Sequence, residues 1–350
     1  MPVHDPPEDN PVGPYSRLSH TQSDMYRRCP RMWWNRYQLR LLGGVPPIFG
    51  LGHSVEDALC RVMRDSPVLV SADAPSDTFD SPLMDVIPTH NGRALDAIQR
   101  PSTVAGADWP GPRSPVLPEA GWPTDRAALE EWALARAEVH FPREWAAERA
   151  SWEADANRDG DWDEFEARNM DAALEMVRAG IRFHLDEVEE CISVGNPPYL
   201  AGFRQGGERP QWPAPDGFPY DHPDPHPAAQ AEGDITWCEA WEVARPWFCD
   251  PDASDFAMST VHPEGWLQGE YDLVYRWTGD VRIFDVKASN GTSDYSFGYP
   301  EQMATYAYLW WVTHDRQEMV AAEEIWYLGV PVRKPMRVPD EAGLLRLEAR

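Results

Sequence analysis

The acidic residues Asp272 and Asp285 stand on either side of a predicted β-turn at Thr278 and Gly279. A hairpin centred on that turn places the two aspartates directly opposite each other. Because side chains alternate along a strand, one face of the hairpin then carries the four polar residues Glu270, Asp272, Asp285 and Lys287. The other face carries Tyr271, Leu273, Tyr275, Phe284 and Val286. We therefore expect one apolar face and one face that can do chemistry.

Two directly opposed carboxylates repel each other unless a cation lies between them, so the hairpin predicts a site for a divalent metal ion. Lys287 strengthens this interpretation, because only Lys287 and Lys334 among the 31 basic residues are lysines. A lysine ammonium is a compact charge that holds and polarises a water molecule, whereas a guanidinium is a broad fork. The Asp-x-Lys pattern is weak by itself in a chain this rich in aspartate, and a merely solvated surface is the alternative.

The elements that must position these residues follow from hydrophobic periodicity and from Gly and Pro breaks. We predict a helix over residues 18–37, begun by Ser19 and Gln22 and divided or restarted at Pro30, and a second helix over 49–63. Residues 124–194 have a helical pattern with one interruption at 155–160. A further helix is predicted over 300–312, and strands over 235–248, 266–277, 281–286 and 325–332. This order indicates an α/β protein with a mixed central sheet flanked by helices.

Two segments rich in Pro, Gly and polar residues, 66–123 and 195–233, interrupt this order, and we expect the first to be irregular. They divide the chain into three predicted parts. Residues 1–65 supply the N-terminal helices of the domain that carries the site. Residues 66–232 form a large helical and loop insertion, and residues 233–350 form the core sheet with its helix.

The composition limits the class of protein. With 42% hydrophobic residues in a chain of 350, a sizeable core can be buried. No apolar run is long enough to span a bilayer, and residues 1–30 lack the pattern of a secretory signal, so we expect a cytoplasmic protein with no membrane partner. The net charge of −27 opposes indiscriminate binding to nucleic acid. Any contact with nucleic acid must therefore be local.

The order of these features resembles the RecB-type branch of the PD-(D/E)XK nuclease superfamily, which includes CRISPR-associated nucleases. The matching residues extend from Ser19 to Tyr306, and residues 66–232 are not covered. They are Ser19 to Arg31 with Cys29-Pro30, Gly52-His53, Gly269-x-x-Asp272, Asp285-x-Lys287 and Gln302-x-x-x-Tyr306. The resemblance implies a restriction-endonuclease-like fold.

The resemblance also implies a metal centre. By it, Mg²⁺ or Mn²⁺ is bound by His53, Asp272 and Asp285. The main-chain carbonyl of Val286 is a further ligand, and Lys287 positions the attacking water. Carboxylates and imidazole suit such ions, which lower the pKa of a bound water.

The remaining site residues have plainer alternatives. Gln302 and Tyr306 share a helix face, where the resemblance assigns them to substrate positioning, although Tyr306 is nearly as well explained by packing. His53 alone is more typical of a structural histidine, and only its place in the ordered set favours a ligand. Glu56 is either an outer partner of that imidazole or a solvated helix charge, and we favour the second.

No acidic residue occurs between Met25 and Ser54, which makes this stretch a basic island in an acidic chain. Its arginines and aromatic residues are interleaved: Arg27, Arg28, Arg31, Arg36 and Arg40 with Tyr26, Trp33, Trp34 and Tyr37. Arginines reach phosphates and aromatic rings stack on unpaired bases, so we expect DNA that is single-stranded or has free ends. The alternative is a helix whose tryptophans are core and whose arginines pair with the acidic surface.

The cysteines predict no metal cluster. Cys29, Cys60, Cys191, Cys238 and Cys249 show no zinc-type spacing. The related iron-sulfur nucleases use a cysteine near the position of Cys29 and three more after the core helix, but this chain has none after Cys249. We therefore expect no iron-sulfur cluster and treat Cys29 as a packing residue.

A second, independent metal motif lies inside the predicted insertion. It matches the EF-hand calcium loop, with Gly160 at the sharp turn and ligand positions at Asp155, Asn157, Asp159, Asp161, Asp163 and Glu166. A Ca²⁺ ion there would close the helical insertion, although Trp162 departs from the usual aliphatic residue. A chance match in an acidic chain is the alternative.

Together these features predict a DNA nuclease, either an exonuclease or an end-processing enzyme, that hydrolyses phosphodiester bonds with a metal-activated water. One alternative is a non-catalytic subunit that binds DNA or assembles with protein partners in a DNA-processing complex. Another is a calcium-organised interaction protein. Repair, phage recombination and CRISPR adaptation are all compatible pathways.

Overall fold

A mixed β-sheet organises the part of the chain that the computed structural model describes, which is residues 18–39, 41, 43–74, 116–205, 226–246, 258–289 and 298–349. A separate antiparallel ribbon consists of β1 (Met258–Val261) and β2 (Gln268–Tyr271). The sheet itself has the order β3 (Leu273–Tyr275), β4 (Val281–Lys287), β5 (Val320–Tyr327) and β6 (Val332–Met336). Strand β4 pairs antiparallel with β3 and parallel with β5, and β5 pairs antiparallel with β6.

Helices surround the sheet. In chain order they are α1 (His20–Arg28), α2 (Pro30–Trp33), α3 (Ile48–Arg64), α4 (Arg126–Ala154), α5 (Trp162–Val194), α6 (Leu200–Gln205), α7 (Trp237–Ala244), α8 (Tyr299–Thr313) and α9 (Glu341–Glu348). A π-helical turn, Trp34–Gln38, follows α2. Within the described ranges, no helix combines the length and the apolar character that crossing a bilayer requires.

Both faces of the sheet are covered. Helices α3, α4, α5 and α7 share one core with the sheet residues Tyr275, Phe284 and Trp326. Helix α8 covers the opposite face, where Ile283 and Ile325 pack with its side chains. A strand buried on both faces reads as a nearly continuous apolar run, and β4 (Val281–Lys287) has that character up to Asp285. The helices of the predicted insertion therefore contribute to the same core as α3, and the three-part domain division stays a prediction.

Several predicted elements are confirmed. Ser19 caps α1 by accepting a hydrogen bond from the Gln22 amide at 3.2 Å, and Pro30 begins α2. Helix α3 occupies the predicted range, and α4 and α5 are separated where the interruption was expected. The hairpin register is also as predicted, because Leu273 pairs with Phe284 and Val274 with Ile283.

The predicted strand at 235–248 is wrong, because this segment contains helix α7. Thr236 and Glu239 form a capping box in which each side chain accepts a hydrogen bond from the other's amide, both at 3.1 Å. Every residue from Cys238 to Ala244 is buried, so this run lacks the alternation of buried and exposed residues that marks a surface helix. The predicted strand at 325–332 is in fact the end of β5, a turn and the start of β6. Residues 75–115 of the predicted irregular segment lie outside the described residues, and 195–233 includes α6.

The expected division of the hairpin into one apolar and one chemical face is also wrong. The predicted strand 266–277 breaks at Asp272, so that Tyr271 packs beneath α8 while Leu273 and Tyr275 face the opposite core. The α8 side carries Val274 and Ile283 as well as Asp285. The polar residues therefore occupy one end of a face that is otherwise apolar.

Candidate active site

The centre of the candidate site is the pair Asp285 and Lys287 near the end of the central strand β4. Being two residues apart, they project from the same face of the strand. Lys287 Nζ lies 2.6 Å from Asp285 Oδ2, and Asp285 is only 1% exposed. Removal of an ion pair from water is costly unless its charges are well balanced, so this pair at the edge of an apolar core calls for a functional explanation.

Asp272 joins this pair from the break between β2 and β3. Its Oδ2 accepts a hydrogen bond from the Val286 amide at 2.6 Å, which holds the carboxylate against β4. Burial and the negative charge of Asp285 raise the pKa of Asp272 to about 7, against the opposing effects of Lys287 and of the Val286 amide. The raised pKa means that Asp272 accepts a proton more readily than a solvated aspartate does.

Glu56 is the third carboxyl of the cluster, and it comes from helix α3. Burial and the charge of Asp272 raise its pKa well above the usual range, and Asp285 adds to the effect. The interpretation of Glu56 as a solvated helix charge is therefore wrong. We call Glu56, Asp272, Asp285 and Lys287 the acid cluster.

Lys287 keeps its charge within this cluster. Burial favours the neutral amine, but the attraction of Asp285 and Asp272 outweighs burial and raises the pKa of Lys287 above its ordinary value. A permanently protonated ammonium cannot accept a proton from water. Lys287 can donate hydrogen bonds to a water or to a phosphate oxygen, which agrees with the positioning role that the resemblance implies.

Gln302 and Tyr306 of α8 reach the cluster as predicted. Gln302 Nε2 donates to Asp285 Oδ1 at 3.3 Å and to the Tyr306 hydroxyl at 2.8 Å. This approach of α8 depends on Gly269 in β2, because a Cβ there would lie 2.9 Å from Leu309 and 3.2 Å from Tyr306. The glycine of the Gly269-x-x-Asp272 motif thus has a packing reason.

His53 contacts Glu148 of helix α4. Its side chain is 63% exposed, and its Nδ1 lies 3.3 Å from Glu148 Oε2. Among the described residues, no three His, Cys, Asp or Glu side chains form a preformed metal site, and this includes the three carboxyls of the acid cluster. The hairpin brings Asp272 and Asp285 together through the Val286 amide, and the binding of an ion by these two residues with His53 stays a prediction. The Val286 carbonyl stays a predicted ligand.

Two titratable residues near the cluster were missed at the level of sequence. His20 in α1 has its Nδ1 3.5 Å from Thr305 Oγ1, and burial lowers its pKa against the opposing charges of Asp24 and Glu301. Glu323 in β5 is 1% exposed, and neither of its carboxylate oxygens has a hydrogen-bond partner within the described ranges. Burial and the charge of Asp285 raise the pKa of Glu323 to about 8. No local pattern marks either residue.

Some residues of the basic island fit the structural alternative, and others stay compatible with contact to nucleic acid. Arg27 pairs with Glu301 at 2.8 Å and Arg28 with Asp24 at 2.5 Å, as the structural alternative expects. Arg31 and Arg36 are exposed, whereas Arg40 lies outside the described residues. Of the two adjacent tryptophans, Trp33 is buried and Trp34 is exposed. Cys29 is also exposed, so its interpretation as a packing residue is wrong.

The EF-hand-like loop has its expected turn but not its expected ligand arrangement. Gly160 has a φ of +96°, and the Asp155 side chain accepts from the Asn157 amide at 2.6 Å. Glu166, the expected closing ligand, instead accepts hydrogen bonds from the indole N–H groups of Trp145 and Trp162, at 2.9 and 3.2 Å. Other carboxylates are also engaged, since Asp163 pairs with Arg149 at 2.7 Å and Asp161 caps α5. Asp159 packs against Gly44.

Comparison with known proteins adds no further identification. The chain matches no protein-family model, no curated protein and no solved structure. The resemblance to the RecB-type branch therefore stays a prediction from the residues of this sequence.

Proposed function

We propose that this chain is a divalent-metal-dependent nuclease that hydrolyses phosphodiester bonds in DNA, with a restriction-endonuclease-like version of the α/β fold. The observation that carries the proposal is the crowding of Glu56, Asp272 and Asp285 around a single ammonium group, that of Lys287. Three carboxylates and one lysine leave an excess of negative charge in a poorly solvated place. Such an excess favours the binding of protons or of a cation.

The donor chemistry fits Mg²⁺ or Mn²⁺. Carboxylate oxygens are the ligands that hard divalent cations prefer, and Glu56, Asp272 and Asp285 would hold the ion. When bound, it would polarise the phosphate and lower the pKa of a water molecule. Because ligands must lose their protons, the raised pKa values of Asp272 and Glu56 predict that the ion binds more tightly as pH rises.

The chain's own residues would orient the reactants. The Val286 amide fixes the carboxylate of Asp272, and Gln302 fixes that of Asp285. Lys287, which stays protonated, would hold the attacking water or a phosphate oxygen beside these carboxylates. These roles support a mechanism in which Lys287 positions the water or the phosphate and does not accept a proton.

The proposal is tested by cleavage of end-labelled single-stranded and double-stranded DNA with Mg²⁺, Mn²⁺ or Ca²⁺. The matched variants are Lys287→Ala and Lys334→Ala, which remove the two lysines of the chain one at a time. We expect cleavage in Mg²⁺ or Mn²⁺ that Lys287→Ala reduces by about 1,000-fold while Lys334→Ala has no effect. Binding of DNA without cleavage under any metal would overturn catalysis and identify a non-catalytic DNA-binding subunit.

A further inference from the structure

The segment from the end of α1 to the start of α3, residues 26–49, is unusually apolar at its surface, and we call it the hook. Among the described residues, thirteen large apolar side chains are exposed, and seven of them belong to the hook. These are Tyr26, Met32, Trp34, Leu39, Leu41, Ile48 and Phe49. Clusters of this kind on a protein surface mark interaction sites.

The charge of the hook indicates what kind of partner it binds. It contains no acidic residue, although the whole chain carries a net charge of −27. Arg31 and Arg36 are exposed, and neither forms an ion pair with a carboxylate in the described part of the chain. The Arg36 guanidinium lies 5.9 Å from the ring centroid of Tyr37. A surface that combines free guanidinium groups with aromatic rings is complementary to an anion that has flat apolar faces.

The backbone of the hook presents its aromatic residues outward. The π-helical turn Trp34–Gln38 follows α2 directly, and the two adjacent tryptophans at this junction have opposite environments. Trp33 is 7% exposed and packs against Tyr26 with ring centroids 5.5 Å apart, whereas Trp34 is 47% exposed. Short π-helical turns are rare and occur mostly at functional sites.

Both ends of the hook lead to the acid cluster. At its start, Arg27 pairs with Glu301 of α8, and the next residue of α8, Gln302, donates to Asp285. At its end, Phe49 lies in the first turn of α3, and Glu56 follows seven residues later, about 10 Å along the helix axis. The part of the hook that leads to α3 is anchored, because the Val45 amide donates a hydrogen bond to the Asn157 carbonyl at 2.9 Å. A ligand on the hook would therefore lie beside the cluster.

We propose that the hook binds a nucleic-acid strand with unpaired bases and directs it to the acid cluster, an inference that rests on the proposed nuclease function. Arg31 and Arg36 would contact phosphates, while Trp34 and Phe49 would stack on bases. In an intact duplex the bases are already stacked on each other, so the exposed rings would have no base faces to cover. The hook thus selects single-stranded regions and frayed ends over internal duplex.

The test is binding without cleavage, measured by fluorescence anisotropy in EDTA. The probes are a labelled oligothymidylate of about twenty nucleotides and a blunt hairpin duplex of similar length. The full-length variants Trp34→Ala and Phe49→Ala are compared with Leu345→Ala, whose side chain is 47% exposed on α9, as is that of Trp34. We expect each hook variant to bind the oligothymidylate about 5- to 100-fold more weakly, and Leu345→Ala to bind as wild type does.

The arginines are tested through salt dependence. Arg31→Gln should reduce the slope of log affinity against log salt by about 0.7, the value for one phosphate contact on a single strand. Arg168→Gln, at an exposed arginine of α5, should leave the slope unchanged. Circular dichroism and melting temperature verify that each variant is folded.

Three results would overturn the proposal. They are equal binding of the duplex and the single strand, binding that both Trp34→Ala and Phe49→Ala leave intact, and no binding of either probe. A dimer that Trp34→Ala converts to a monomer would instead identify a second copy of the chain as the occupant. Because binding is measured in EDTA, a chain that binds single strands through the hook yet never cleaves them would refute the nuclease function and leave this proposal standing.

Discussion

The chain has two dense groups of carboxylates, in which the repulsion between like charges is balanced in different ways. In the loop 155–166, the carboxylates lie at the surface and each of several has its own partner, such as the Asn157 amide for Asp155 and Arg149 for Asp163. In the acid cluster, the partly buried Glu56 and Asp272 and the buried Asp285 share one lysine. Burial and neighbouring charge raise the pKa of Glu56 and of Asp272 within the cluster.

The difference shows why a sequence motif for metal binding is a poor guide by itself. The loop matches a calcium motif at every ligand position, yet several of its carboxylates already have partners within the protein. The cluster has only a short Asp-x-Lys motif, but its residues are held together by elements far apart in the sequence. Unbalanced charge in a poorly solvated site is a stronger indication of a bound cation than ligand spacing is.

The largest expected effect comes from removing one charge from the cluster without changing its shape. Glu56→Gln should reduce cleavage by about 1,000-fold, because a ligand for the ion is lost. The same substitution should raise the melting temperature, since it relieves repulsion with Asp272 and Asp285. Activity is measured on end-labelled DNA in Mn²⁺, and stability by thermal unfolding in EDTA.

Glu166→Gln in the loop is the matched control. It should leave cleavage unchanged and lower the melting temperature slightly, because the indole N–H groups of Trp145 and Trp162 lose their charged acceptor. If Glu56→Gln retained full activity while Glu166→Gln lost it, the functional roles of the two acidic regions would be reversed.

Glu323 also has a raised pKa but is not a proposed metal ligand, so its ionisation can be tested without the effect of a metal ion. Its pKa of about 8 exceeds that of a carboxyl in an unfolded chain, about 4.3, so the folded state holds an extra proton between these pH values. Below the lower value the carboxyl is protonated in both the folded and the unfolded state and costs no stability. As pH rises toward the upper value, the unfolded chain loses this proton first, so the folded state loses stability. The stability advantage of Glu323→Gln over wild type should grow by about 4 kcal/mol between pH 5 and pH 8.5.

Urea unfolding of both proteins at the two pH values measures this difference. Glu232→Gln, at an exposed position before α7, is the control and should show no pH-dependent gain. A constant difference between Glu323→Gln and wild type across the pH range would mean that Glu323 is ionised in the fold and has a cationic partner.

Sequence predicted the parts of the site that depend on local structure. The hairpin register followed from one turn, and strand alternation then placed Asp285 beside Lys287 and opposite Asp272. The positions of Gln302 and Tyr306 followed from helical spacing on α8. Helix α7 was misread because burial on all sides removes the periodicity that distinguishes a helix from a strand.

The rest of the site depends on how distant elements approach each other. Which residues of α3 meet the hairpin is decided by the rotation of α3 about its axis, and that rotation depends on packing against α4 and α5. Gly180 of α5 is part of that packing, because a Cβ there would lie 2.6 Å from the Leu59 side chain. Glu323 was not recognised because nothing near it in sequence reveals that α8 covers its face of the sheet.

The smallest expected effect concerns the calcium motif of the loop. Arg149 holds Asp163 and also lies 3.5 Å from Glu166, so it competes with any cation for both carboxylates. Arg149→Gln should therefore strengthen Ca²⁺ binding by about threefold, a modest gain because these ion pairs are solvent-exposed. Titration with Ca²⁺ followed by tryptophan fluorescence measures the affinity, since the indoles of Trp145 and Trp162 contact Glu166 directly. If the fluorescence of both proteins is unchanged by Ca²⁺ at millimolar concentration, the loop is a structural turn whose carboxylates serve only the protein.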